Sequence, residues 1–145
     1  MDAAQRAYKA TWGKLSGGER AKIMLKFVDL LEDHLHDLMK LESLAMGQPI
    51  TLGLALGRIL SPVFRYYAGF CDKIYGEMFP EDGDGQYKLV RYELMGVCAG
   101  IAPWNATLVF FCHKLAPAVA AGNTFIFKPS VKSPLGTLAL GDLIT

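Results

Sequence analysis

The sequence has 145 residues, with 15 Lys and Arg against 14 Asp and Glu for a formal net charge of +1. That length suits one domain on a scale of roughly 100–200 residues, and near-neutrality without a basic run excludes an electrostatic footprint for nucleic acid or an anionic membrane. Apolar residues make up 52% of the chain, yet no stretch reaches the ~18 uninterrupted apolar residues of a membrane span, so the excess points to surface that something else covers.

In chain order, Ala3 to Lys14 is expected as a short helix. Ser16-Gly17-Gly18-Glu19 has the spacing of a capping box, in which the serine oxygen and the glutamate satisfy two orphan N–H groups. A long helix should follow. Ile23, Phe27, Leu30, Leu31, Leu35 and Leu38 recur at spacings of three and four as an apolar stripe, Lys22, Lys26, Asp29, Glu32, Asp33 and Asp37 fill the other face, and Gly47 with Pro49 ends it. Leu52 to Glu77 is expected as another helix, kinked or restarted at Ser61-Pro62. Pro80 to Gly85 has turn composition, and Tyr87 to Tyr92 alternates as a strand does.

From Gly96 the pattern becomes strand, helix, strand, helix: Val97–Ala102, Thr107–Ala121, Thr124–Phe127, and a last helix opened by Ser133-Pro134 and running to Leu143 or Thr145. This is the order of a parallel α/β unit. Two parallel strands alone leave open edges, so the unit is expected to be incomplete or completed by association.

The three cysteines, Cys71, Cys98 and Cys112, are far apart and set in apolar sequence, with no CxxC and no Cys/His ligand spacing. They read as small core residues of a reduced, cytoplasmic protein, and no secretory signal is expected at the N-terminus. His34 and His36, two apart on a helix, face different sides and make no metal pair. Glu81, Asp82 and Asp84 read as an ordinary acidic turn.

Gly96-Val97 through Ile101-Ala102-Pro103-Trp104-Asn105 is very similar to the Gly-Val-x-x-x-Ile-x-Pro-Trp-Asn motif of NAD(P)-dependent aldehyde dehydrogenases. The similarity continues through Lys114-Leu115-Ala116-Pro117-Ala118, Ala121-Gly122-Asn123-Thr124, Phe127-Lys128-Pro129-Ser130 and Ser133-Pro134-Leu135. Upstream, Arg65-Tyr66-Tyr67-Ala68-Gly69, Asp72-Lys73 and Arg91-Tyr92-Glu93 also match, so the resemblance covers nearly the whole chain. It implies a partial Rossmann-like coenzyme-binding domain over 1–145, helical over 1–79, with a strand and an α/β part over 80–145.

Members of that family oxidise aldehydes to acids through a cysteine thiohemiacetal, with hydride passing to NAD or NADP and a glutamate base assisting hydrolysis. By resemblance Asn105 is an oxyanion donor, Trp104 and Ile101 line the nicotinamide side, and Lys128 binds the adenosine ribose. Asn105 alternatively caps the helix that starts near Thr107. Val131 departs from the pattern: NAD-preferring members often carry a glutamate there, whose ribose contacts a valine cannot make. Lys132 lies close enough to pair with a phosphate.

The resemblance further implies a truncated member, because the family's pyrophosphate turn, base and nucleophile come later in the chain and its opening strands come earlier. Aldehyde oxidation by this chain alone is not expected, and its NAD or NADP binding is in doubt. Two other roles are open. One is an interaction protein that self-associates or docks on a full-length aldehyde dehydrogenase-like chain. The other is a non-redox isomerase or cyclase with a small lipophilic ligand, suggested by Phe64, Tyr66, Tyr67, Phe70, Phe110 and Phe111, which equally serve as core.

Overall fold

Ser16 sets the start of the longest helix. Its hydroxyl accepts from the Glu19 N–H at 3.3 Å, and the Glu19 carboxylate accepts from the Ser16 N–H at 2.8 Å, the reciprocal capping box the spacing predicts. This helix, α2, runs Gly17–Met46 and stops at Gly47, whose φ of 71° is a left-handed conformation that glycine adopts without steric cost. The computed structural model describes residues 1–144; Thr145, one of the two expected ends of the last helix, lies outside the described residues.

The buried stripe of α2 is rotated from the expected one. Arg20, Met24, Val28, Leu31, Leu38, Met39 and Glu42 are buried, whereas Ile23 is 48% exposed. Apolar residues at 23, 24, 27, 28, 30 and 31 offer two overlapping stripes, and the tertiary partners choose the one through Met24 and Val28. Upstream, the helix expected to reach Lys14 is α1 over Asp2–Ala10, followed by a separate 3₁₀ turn at Trp12–Lys14. The chain folds back there so tightly that a Cβ on Gly13 would lie 2.6 Å from the Tyr8 carbonyl oxygen.

The helix expected over Leu52–Glu77 is two helices, α3 at Ile50–Gly57 and α4 at Leu60–Ala68. The break falls at Arg58-Ile59. Pro62 is the third residue of α4, where an N–H has no intrahelical acceptor, so it restarts the helix and does not kink it. The chain then leaves helical structure, and β1 at Glu77–Phe79 pairs antiparallel with β2 at Lys88–Val90. Three residues are too few to show alternation, so β1 is visible only through its partner.

In the last third, β3 at Val97–Ile101 pairs parallel with β4 at Thr124–Lys128, with α5 at Thr107–Ala120 between them and α6 at Leu135–Ile144 after them. Among the described residues each sheet has two strands, β1 with β2 and β3 with β4. The β1–β2 hairpin is exposed along its whole length, Met78 and Leu89 included.

One core joins the helices. Leu31 and Leu38 of α2 meet Leu60 and Phe64 of α4, Leu108, Phe111 and Cys112 of α5, and Leu140 of α6. Phe64 packs on Phe27 with ring centroids 4.9 Å apart, and Phe111 meets Phe127 edge-on at 5.0 Å. Phe64 and Phe111 therefore serve as core, not as the wall of a pocket. Arg20 is the polar fastener of this core. Its Nε donates to Ala120 O at 3.2 Å, Nη1 to Leu15 O at 2.6 Å and Nη2 to Cys71 O at 2.9 Å, tying the start of α2 to the ends of α4 and α5.

Candidate functional site

Parallel pairing places the carboxyl ends of β3 and β4 side by side, with Ile101 and Lys128 as register partners. Ligands of open α/β sheets bind at such strand ends. The loop after β3 carries Pro103, Trp104 and Asn105; the loop after β4 carries Pro129 to Pro134. Ile101, Trp104, Asn105 and Lys128, widely separated in sequence, thus share one edge of the molecule.

All four are exposed, Ile101 to 70% and Trp104 to 51%. Ile101 and Trp104 leave apolar side chains in solvent, and Asn105 and Lys128 bring an amide and an ammonium to the same end of the sheet. Lys128 Nζ donates to Pro129 O at 3.2 Å and lies at the surface, free to exchange that bond for a ligand hydroxyl. The Asn105 amide does not cap α5: the cap position belongs to Ala106, without a side-chain cap bond. The Asn105 side chain makes no hydrogen bond among the described residues, so its amide stays available as a donor.

The two loops are fastened from beneath by residues that the sequence marks only as helix starts. Ser133, fully buried, donates to Trp104 O at 2.8 Å and lies 2.7 Å from Thr107 Oγ1. Since the Ser133 proton goes to Trp104 O, Thr107 donates within the hydroxyl pair, and its 3.3 Å approach to Pro103 O competes for the same proton. Ala102 N also donates to Lys128 O at 3.2 Å, extending the ladder past the strand ends. The available sequence signal was a serine and a threonine, each placed where a helix begins.

Val131 projects from the turn after β4 with 85% exposure, and Lys132 beside it is exposed, its N–H donating to Ser130 Oγ at 3.2 Å. No acceptor stands at 131 for a ribose hydroxyl.

Cys71 and Cys112 lie in the core as expected, whereas Cys98, expected there too, is half-buried on β3 because the open sheet leaves that strand partly uncovered. Burial pushes the Cys112 thiol far above its ordinary value, and burial raises Cys71 as well, against a smaller opposing effect of Arg20. A thiol that resists ionisation is a poor nucleophile. His113, next to Cys112, is exposed while Cys112 is not, so the two do not form a nucleophile–base pair. His34 and His36 are both exposed, and no metal-binding cluster of three or more His, Cys, Asp or Glu occurs among the described residues. In the acidic turn the Asp84 carboxylate accepts from Gln86 N at 3.0 Å, an internal turn contact. An open cleft of about 480 Å³ lies apart from the strand ends, lined by residues that include Tyr8, Arg20, Cys71, Asp72, Arg91 and Tyr92. It shares no residue with the Trp104–Lys128 edge, which is a surface and not a hollow. No helix among the described residues is long and apolar enough to cross a membrane.

The model of the aldehyde dehydrogenase family matches residues 1–145. Betaine aldehyde dehydrogenase of Bacillus subtilis (strain 168) is 43% identical over 144 residues, covering 98% of this chain and 29% of the relative. Retinal dehydrogenase 2 of Homo sapiens is 38% identical, covering 99% of this chain and 28% of the relative. Among solved structures, betaine aldehyde dehydrogenase of Staphylococcus aureus in complex with NAD+ superposes with a TM-score of 0.90 at 32% identity, covering 98% of this chain and 28% of that one. The chain thus spans less than a third of the length of the relatives it matches.

Proposed function

This chain belongs to the aldehyde dehydrogenase family, and from that premise we propose that it supplies the strand-end surface that holds NAD or NADP and presents an oxyanion donor, while the nucleophile and the base must come from outside these 145 residues. The observation that carries this reading is the convergence of Ile101, Trp104, Asn105 and Lys128 at the carboxyl ends of β3 and β4. The residues fit the group: an apolar face from Ile101 and Trp104 suits a nicotinamide ring, and the Lys128 ammonium suits ribose hydroxyls. The cofactor, when bound, accepts hydride from the substrate carbon. The chain's own part is to bind and orient. Asn105, an uncharged donor held before the first turn of α5, can stabilise charge that develops on a carbonyl oxygen.

Calorimetric titration with NAD⁺ and NADP⁺ tests the binding surface. Lys128→Ala is expected to weaken binding about 10-fold, the scale of one lost hydrogen bond to a charged donor. Equal affinity in the two chains removes Lys128 from the site. In the same samples, with an aldehyde added, no absorbance of reduced cofactor is expected: Cys71 and Cys112 are held protonated by burial, and Cys98 lies within β3, not in the loops at the strand ends. Turnover that disappears in Cys98→Ser would overturn the reading.

The exposed β1–β2 hairpin favours a second reading, in which the chain works as an interaction partner through self-association. Met78 and Leu89 are register partners on the hairpin and both stand in solvent, and a two-stranded ribbon with apolar side chains is marginal without a covering surface. Sedimentation equilibrium is expected to show a dimer or larger species that Met78→Lys with Leu89→Lys converts to monomer. A wild-type monomer at every concentration ends this second reading.

A further inference from the structure

Glu42, like Arg20, is a charged side chain of the core that the dinucleotide reading does not use, and unlike Arg20 it leaves a polar atom unpaired. It is 2% exposed, near the end of α2, and its Oε1 has no hydrogen-bond partner. Gly136, in the first turn of α6, lies against it so closely that a Cβ there would meet Oε1 at 2.7 Å. The backbone N–H groups of Thr107 and Leu108, the first two residues of α5, lie toward the carboxyl and favour its charged form. These N–H groups have no acceptor within their own helix, and the helix N-terminus favours a negative charge. Ala106 brings no side-chain cap, and the Glu42 carboxyl faces this uncapped end from another helix.

Thr107 is also the first member of the fastening under the candidate site. Its hydroxyl meets Ser133 at 2.7 Å, and Ser133 in turn donates to Trp104 O at 2.8 Å. We propose that Glu42 is a positioning residue for the Trp104–Asn105 loop: its carboxylate holds the first turn of α5, and the Thr107–Ser133–Trp104 hydrogen bonds pass that hold to the loop. Protonating Glu42 removes the charge that favours the helix N-terminus and loosens the chain of bonds. The coupling needs no bound dinucleotide; only its meaning for an oxyanion donor at Asn105 rests on the reading proposed above.

The carboxyl answers to few other groups. Cys112, His113 and Lys114 on α5, Asp142 on α6 and Lys40 on α2 are titratable groups of the elements around it. None contributes to its acidity, which is set by burial against the two N–H groups. Burial wins, and the pKa is pushed up to about 7, so the hold changes with pH near neutrality.

Two-dimensional NMR of ¹⁵N-labelled chain between about pH 5 and 9 tests the coupling without any dinucleotide. A His113→Gln background removes the imidazole of α5 as a source of shifts. The amides of Thr107 and Leu108, the Trp104 signals and the Asn105 side-chain amide should all move with one midpoint near the pKa of about 7. Glu42→Gln should leave all of them still. Ser133→Ala should keep the movement at Thr107 and Leu108 and lose it at Trp104 and Asn105. If Glu42→Gln does not fold, the comparison with Ser133→Ala decides. The proposal is overturned if Trp104 and Asn105 stay still while Thr107 and Leu108 titrate, if nothing moves, or if Ser133→Ala leaves the loop titration intact.

Discussion

Arg20→Met is expected to cost roughly 3–5 kcal/mol of stability, because three charge-assisted hydrogen bonds go at once and three carbonyls lose their donor. Leu15 O, Cys71 O and Ala120 O come from three separate segments, and the planar guanidinium reaches all of them in its fixed fork, at 2.6, 2.9 and 3.2 Å. Methionine keeps the apolar stem and volume, so the loss reports the polar contacts. Lysine keeps the charge on a single nitrogen that cannot span three dispersed acceptors, so Arg20→Lys should fall between wild type and methionine. Against a total of roughly 5–15 kcal/mol for a domain, the methionine chain should sit at or near unfolding. Urea unfolding checks this: a midpoint shift worth less than about 1 kcal/mol at unchanged slope would mean that water reaches the carbonyls and Arg20 is no fastener.

Little of that role shows in the sequence. Arg20 sits one residue after the cap glutamate, in a first turn where charged residues are ordinary, and nothing in the local pattern says that it turns inward. The stripe on α2 is ambiguous for a related reason. Ile23 and Met24 are both apolar, and only the tertiary fold, which sets Cys71 against Met24, decides which of them is covered. The strand ends were the most legible part. A β-α-β connection with a parallel register brings the ends of β3 and β4 together as a matter of topology, so Ile101, Trp104, Asn105 and Lys128 converge without any long-range contact being known in advance. The fastening beneath them was not legible, because Ser133 and Thr107 look like ordinary residues of helix starts until the two loops are seen in contact. Glu42 falls between these cases. It stands four residues after Leu38 on the buried stripe, so the helical period alone places a carboxylate in the core, where a carboxylate calls for a reason.

That carboxylate carries a second large effect, on stability against pH. The ordinary value for Glu42 is 4.5, and burial raises it in the fold to about 7. Below about pH 4.5 the group holds its proton in both folded and unfolded chains. From there to about pH 7 the fold binds a proton that the unfolded chain releases, so stability falls as pH rises. At ~1.36 kcal/mol per pH unit, the loss between 4.5 and about 7 comes to about 3 kcal/mol, complete above the folded value. Glu19, Asp37 and Asp72 have the opposite sign. A hydrogen bond from the Ser16 hydroxyl, from Lys40 and from Lys73, respectively, lowers each of them, so their contributions are lost as pH falls through the acid range and are complete before Glu42 begins to ionise in the fold. Stability should therefore peak on the acid side of neutrality and decline toward pH 8. In Glu42→Gln a neutral amide keeps an acceptor oxygen for Thr107 and Leu108, so its stability should match wild type near pH 5 and exceed it near pH 8, the decline being gone. Urea midpoints at about pH 5, 6, 7 and 8 read both curves. A wild-type curve that is level across that range, or a decline that survives in Glu42→Gln, would assign the ionisation to another group. A decline confined to the wild type would identify Glu42 as a charge held in the core at a cost in stability.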